Sequence, residues 1–163
     1  MHLIGWEKVM PVQTTQRISV RHMNAEVRLQ LEQMYRSYVP LGGTLGLPPP
    51  DPILRRRWLD DLGRGINLVA YVDDKLAGHL VLLPTGGAVE MVAYVHQDFR
   101  LQGVATALVK AAIEEAHADN FSYIWLLVAK LNFAARRFLQ KLGFRIAWED
   151  LHEMQFLYPT AGR

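Results

Sequence analysis

The stretch from Glu90 to Ala116, EMVAYVHQDFRLQGVATALVKAAIEEA, begins as an apolar strand and ends as a helix. Met91 to Val95 form the strand, a short polar loop follows, and the helical pattern starts within Arg100-Leu101-Gln102-Gly103-Val104-Ala105. First-turn N–H groups of a helix have no intrahelical acceptor, and the helix dipole adds positive potential there. A strand that feeds a helix through a glycine-bearing turn is therefore a ready anion site, with phosphate as the obvious guest.

The flanking chain supplies a sheet and its covering helices. Residues 1–15 show no clear period and read as an N-terminal tail, or as a segment packing through Ile4 and Trp6. The domain proper is expected over residues 16–159. Residues 17–21 alternate like a strand, and Asn24 is a plausible cap for a helix running to Arg36. Residues 38–50 are rich in glycine and proline yet apolar, as a lid or the wall of a site would be. Asp51-Pro52 opens a second helix with Ile53, Leu54, Trp58, Leu59 and Leu62 on its apolar side, closed by Gly63 or Gly65. Residues 66–72 and 76–83 are strands joined in a hairpin by Asp73-Asp74-Lys75, and residues 88–95 are the opening strand. After a helix over 102–119 come a strand at 123–128, a helix over 132–142 stopped by Gly143, and strands at 144–148 and 153–158. The order β-α-α-β-β-β-α-β-α-β-β predicts an α/β (α+β) single domain: a mixed, mostly antiparallel sheet flanked by helices.

Composition narrows the function. At 163 residues the chain suits one domain. Eighteen basic and sixteen acidic residues leave +2, too small a bias to argue for a nucleic-acid or membrane partner. The absence of cysteine removes thiolate nucleophiles and cysteine-bound zinc, and suits a reducing, cytoplasmic setting. No secretory signal pattern opens the chain, and no run approaches the ~18 apolar residues of a membrane span. P-loop, dinucleotide-fold, serine-hydrolase and His-metal motifs are all missing, so no metal is expected.

Two motifs are present instead: Arg100-x-x-Gly103-x-Ala105 after the fourth strand, and Asn132-x-x-Ala135-x-x-Phe138 followed by Gly143-Phe144. Together, at this separation, they resemble the GNAT superfamily of acetyl-CoA-dependent N-acyltransferases. The resemblance spans residues 17–159. It implies that acetyl-CoA is the cosubstrate and that the backbone from Leu101 through Gln102, Gly103 and Val104 to Ala105 cradles the pyrophosphate. Arg100 would add a donor fork suited to phosphate. Tyr94 and Val95 would pair, strand-like, with the pantetheine arm where the fourth and fifth strands splay. Asn132 and Phe138 would complete the coenzyme site, although Asn132 also reads as a helix cap, and Phe138, like Trp125, as core.

The implied reaction is attack of a neutral amine on the thioester. Glu90 is the only carboxylate on the fourth strand and the candidate base, at a spacing similar to that of bacterial protein-lysine acetyltransferases. Its facing depends on whether that strand is regular or bulged. The Val95 N–H would stabilise the developing oxyanion. The family's usual acid, a tyrosine four residues before the G-F glycine, is replaced by Leu139. His96 is expected to be solvated and His79 structural. Tyr35, Tyr38 and the following loop read either as an acceptor pocket or as helix packing. The chain therefore predicts an acetyltransferase acting on a small amine or a protein lysine. The competing reading is an acyl-CoA-binding sensor or partner domain without efficient turnover. A nucleic-acid module is disfavoured, and a homodimer is left open.

Overall fold

A computed structural model describes residues 16–42 and 46–161; the tail assigned to residues 1–15 and the centre of the 38–50 loop lie outside them. The elements are β1 (Ile18–His22), α1 (Ala25–Arg36), α2 (Pro52–Leu62), β2 (Ile66–Val72), β3 (Lys75–Thr85), β4 (Ala88–Val95), α3 (Val104–Ala118), β5 (Tyr123–Ala129), α4 (Phe133–Lys141), β6 (Arg145–Glu149) and β7 (Glu153–Pro159). This is the expected order, with one 3₁₀ turn, Gln97–Phe99, added before α3.

The strands form one seven-stranded sheet in the order β1-β2-β3-β4-β5-β7-β6. Every neighbouring pair is antiparallel except β4 and β5. The middle of the sheet is covered on both faces, which explains why β2 and β3 read as unbroken apolar runs rather than alternating ones. Leu68, Ala70 and Val72 pack with Leu108, Val109 and Ala112 of α3 on one face. Val69 and Tyr71 pack with Leu31 and Tyr35 of α1 and Leu59 of α2 on the other.

Local signals place the helix ends. Asn24 Oδ1 accepts the Val27 amide at 3.0 Å, and Asp51 Oδ1 accepts those of Ile53 and Leu54 at 2.9 Å each, so both caps satisfy otherwise orphaned donors. Gly143 adopts φ 97°, the left-handed conformation that ends α4 and starts β6. Gly78 matters for a different reason. A Cβ there would meet Leu108 Cδ1 and the Tyr94 carbonyl at 3.0 Å and Val104 Cγ1 at 3.1 Å. The missing side chain is what lets the first turns of α3 lie directly on β3.

Three expectations change. The second helix exposes Ile53 and Leu54 and buries Arg55, whose Nη1 donates to the carbonyls of Pro49 and Pro50 at 3.1 and 3.0 Å. That guanidinium fixes the end of the proline-rich loop against α2. Trp125 is half-buried and donates its indole N–H to Thr85 Oγ1 at 3.0 Å, so it borders the sheet instead of filling the core. The regular helix starts at Val104, two residues later than the pattern indicated.

Candidate active site

The site begins where two strands part. β4 and β5 run parallel but pair only at Val89 with Ile124 and Glu90 with Trp125. Beyond that rung they diverge into a fork. β4 meanwhile stays regularly paired with β3 through Gly78 and Val95, with no bulge between them. In an antiparallel ladder, alternate residues direct both backbone polar groups at the partner and the rest point away. His96 donates to the Ala77 carbonyl at 2.9 Å, which fixes the phase. Tyr94 therefore spends its N–H and C=O on β3, while Ala93 and Val95 direct theirs into the fork. This corrects the expectation for Tyr94, whose backbone is not open to a pantetheine arm. It adds Ala93, which the sequence reading missed because parity depends on a partner strand.

Past the fork, His96 and the 3₁₀ turn lead to Leu101, at φ 62°, and Gly103, at φ 89°. Ala107 is the first residue of α3 whose N–H reaches back along the helix, to the Gly103 carbonyl at 3.1 Å. The amides of Gly103, Val104, Ala105 and Thr106 precede it and have no helical acceptor. Thr106 thus joins the expected cradle because the helix starts later. Gly103 is open: a Cβ would approach nothing nearer than Ile18 Cδ1 at 3.6 Å. Leu101 and Gln102 are exposed, and Gln102 Nε2 donates to the Asp98 carbonyl at 3.1 Å. Four convergent amides, a positive helix end and an unfilled glycine form a cradle that fits a phosphate group. Two further amides in the fork fit an extended amide-bearing arm. Together these donors match the chemistry of coenzyme A.

Arg100 departs from its expected role. Its Nε donates to the Val95 carbonyl at 3.1 Å, its Nη2 donates to the Val39 carbonyl, and its guanidinium lies 5.6 Å from the centre of the Tyr38 ring. The donor fork is engaged by protein carbonyls rather than directed at the phosphate cradle. Arg100 is one part of a larger tie between the α1–α2 loop and the β4–α3 loop. Gln97 Oε1 accepts the Val39 amide at 3.0 Å, and Gln97 Nε2 donates to the Ser37 carbonyl. His96, expected in solvent, is buried in this tie. Its Nδ1 accepts the Asp98 amide at 3.2 Å, so the neutral ring donates from Nε2 to Ser37 Oγ at 2.9 Å.

Tyr38 is buried between the two loops. Its ring packs edge-on to Tyr94 and His96, with centroids 6.0 and 6.4 Å away. Burial raises the pKa of its hydroxyl, and the nearby Arg100 charge and Val95 amide oppose the rise. Tyr35 is a core residue and not a pocket wall. It is fully buried against Tyr38, Trp58 and Tyr94, and its hydroxyl meets His79 Nδ1 at 2.8 Å. His79 Nε2 meets Asn67 Oδ1 at 2.7 Å, and Asn67 donates its own amide hydrogens to the Leu62 and Gly65 carbonyls. Asn67 Oδ1 must then accept, so His79 is neutral with its proton on Nε2. Burial, helped by the Arg28 charge, lowers its pKa to about 3.

Glu90 is half-buried at the closed end of the fork, and desolvation raises its pKa. It shares the α1–α2 face of β4 with Val92 and Tyr94, and its charge is felt at Tyr94. On a regular strand, the five residue steps from Glu90 to Val95 span roughly 16 Å. The two candidate catalytic groups are thus on one strand but not at one point. In α4, Asn132 Oδ1 accepts the Ala135 amide at 3.1 Å, the capping arrangement, and Phe138 packs partly buried on the core. Leu139 is 2% exposed and belongs to that core.

A sheet forked between two parallel central strands, with a phosphate-suited helix start beside the fork, is an architecture that can hold a phosphate-bearing ligand with an extended arm. Residues 30–144 match the model of the Acetyltransferase (GNAT) family, and the chain belongs to that family. Its fold is similar to the GNAT domain of S. lividans PAT, at 13% identity and TM-score 0.75 over 86% of this chain and 89% of that one. It is similar also to the ribosomal-protein-S18-alanine N-acetyltransferase of Escherichia coli, at 15% identity and TM-score 0.72 over 90% and 96%. A third similar structure is yncA of Salmonella typhimurium, solved with its cofactor acetyl-CoA, at 16% identity and TM-score 0.70 over 90% and 95%.

Proposed function

We propose that the protein transfers an acetyl group from acetyl-CoA to a primary amine, of a small molecule or a protein lysine, in a ternary complex. The observation that carries this reading is the pairing of the fork amides of Ala93 and Val95 with the orphan amides of Gly103 to Thr106 in a GNAT-family chain. The helix start binds the pyrophosphate, and the fork holds the pantetheine arm. Val95 N–H supports the oxyanion as the amine attacks. Glu90, whose pKa burial raises, takes the amine proton through a chain of several waters, because roughly 16 Å of strand separates it from Val95. The setting we propose is cytoplasmic.

A second reading is favoured by one specific observation, the buried Leu139 where the family's usual acid would stand. It is an acyl-CoA-binding sensor or partner domain without efficient turnover. Steady-state release of free thiol with a panel of amines and lysine peptides separates the two. Amine-dependent release above hydrolysis supports the transferase. Coenzyme A binding with no amine-dependent release supports the sensor.

A further inference from the structure

β4 separates the two sides of the site. Val92 and Tyr94, with Glu90, face the α1–α2 layer, whereas the phosphate-suited amides begin α3, which packs on the opposite face. An amine that meets a thioester in the fork and gives up its proton toward Glu90 therefore arrives from the α1–α2 side. The chain that follows α1 lies on that approach.

This chain is held by side chains from the β4–α3 loop. The Val39 N–H donates to Gln97 Oε1 at 3.0 Å and its carbonyl accepts from Arg100 Nη2, so partners 58 and 61 positions away take both of its backbone polar groups. Ser37 is held likewise, its carbonyl by Gln97 Nε2 and its hydroxyl by His96 Nε2. The Val39 side chain itself is exposed.

Arg100 does more than Gln97, because it bridges. Its Nε takes the Val95 carbonyl at 3.1 Å while Nη2 takes that of Val39, and the guanidinium lies 5.6 Å from the centre of the Tyr38 ring. A planar guanidinium reaches two carbonyls in one fixed geometry, which a lysine cannot do. Turning it toward the start of α3 would strip both carbonyls of this donor. The strand end does not depend on the bridge. The His96 N–H, in the same peptide unit as the Val95 carbonyl, already pairs with the Ala77 carbonyl at 2.9 Å. The loop end depends on it.

We propose that Arg100 is a positioning residue for the amine side of the reaction and not a coenzyme ligand: with Gln97, it clamps the Val39 backbone to the Val95 end of the fork. This deepens the transferase reading and rests on it for its catalytic meaning. The clamp adds no chemical step. It sets the approach to the fork before the amine arrives, so that binding does not have to order the loop.

The test uses Arg100→Met, Arg100→Lys and Gln97→Ala in the full chain. In Arg100→Met, affinity for coenzyme A by calorimetry stays within about twofold of wild type, while the KM for a primary amine rises about tenfold and kcat falls by less. Arg100→Lys restores the charge but not the two-carbonyl reach, and leaves the amine KM raised. Gln97→Ala raises it too. Arg100→Met and Gln97→Ala together raise it by less than the product of their separate effects, because both release the same Val39 backbone. Coenzyme A affinity that falls about tenfold in Arg100→Met and returns in Arg100→Lys makes Arg100 a phosphate ligand and overturns the proposal. So does an amine KM within about twofold of wild type, or independent effects of the two substitutions. If Arg100→Met does not fold, Arg100→Lys and Gln97→Ala decide the matter by the same amine KM and coenzyme A affinity. Wild-type protein with no amine-dependent thiol release refutes the transferase reading separately. In that case the coenzyme A titration of Arg100→Met still decides between clamp and ligand.

Discussion

Glu90 and Trp125 form the last paired rung between β4 and β5, and the sheet opens immediately beyond them. The carboxylate therefore marks the closed end of the fork, while Val95 marks its open end.

That separation sets the size of the effect expected for Glu90→Gln. A general base in direct contact with its proton is worth roughly 10²–10⁴ in rate. In the proposed mechanism Glu90 acts only through a chain of waters, so kcat/KM should fall only about tenfold, with coenzyme A affinity unchanged. Steady-state kinetics and calorimetry check both halves. Unchanged turnover removes Glu90 from the mechanism.

Gly103→Glu should abolish coenzyme A binding, because it puts bulk and negative charge among the amides of the helix start. Gly103→Ala is the control. Its Cβ meets nothing closer than Ile18 Cδ1 at 3.6 Å, so only the left-handed backbone, at roughly 1–2 kcal/mol, should be felt. Calorimetric titration with coenzyme A, alongside circular dichroism, distinguishes a lost site from a lost fold. Unchanged affinity in the glutamate variant contradicts the phosphate assignment.

His79 should make stability depend on pH. Its pKa is about 3 in the folded protein and near ~6.5 in the unfolded chain, so folding favours the neutral form. The stability this confers is complete above ~6.5 and is lost as pH falls toward the folded value, at up to about 1.4 kcal/mol per pH unit. Urea unfolding between neutral pH and pH 4 should show that slope in wild type. The difference between wild type and His79→Gln isolates it from the carboxylates.

Leu139→Tyr, which restores the family's usual residue, should not restore an acid. Leu139 is packed with Leu108, Phe144 and Phe156 in the core, so a larger polar side chain there should destabilise by about 1–3 kcal/mol. Thermal unfolding reads the loss. A stable variant with faster turnover would show that α4 can turn this position toward the fork.

Much of this fold is legible in the chain because its signals are local. Asn24, Asp51 and Gly143 act within a few residues of themselves, and the element order follows from them and from the apolar runs. What escaped depends on distant partners. Arg55 does not figure on the apolar side read for the second helix, yet it is buried because its guanidinium reaches back to two proline carbonyls of the preceding loop. His96 reads as a loop residue until Ser37, 59 positions away, is placed against it. The exchange of Tyr94 for Ala93 on the fork required the phase of the β3 ladder, which no single strand contains.

Gly78 pairs with Val95 from the β3 side, and it carries no chemistry of its own. By leaving one carbon out between β3 and α3, it sets the height at which the helix start rides above the sheet. The two ends of the proposed coenzyme site, amides on a strand and amides on a helix, are held in step by that spacing. Any side chain at this buried position would press on Leu108, Val104 and the Tyr94 carbonyl, so the spacing between the two ends is written in a residue with no side chain at all.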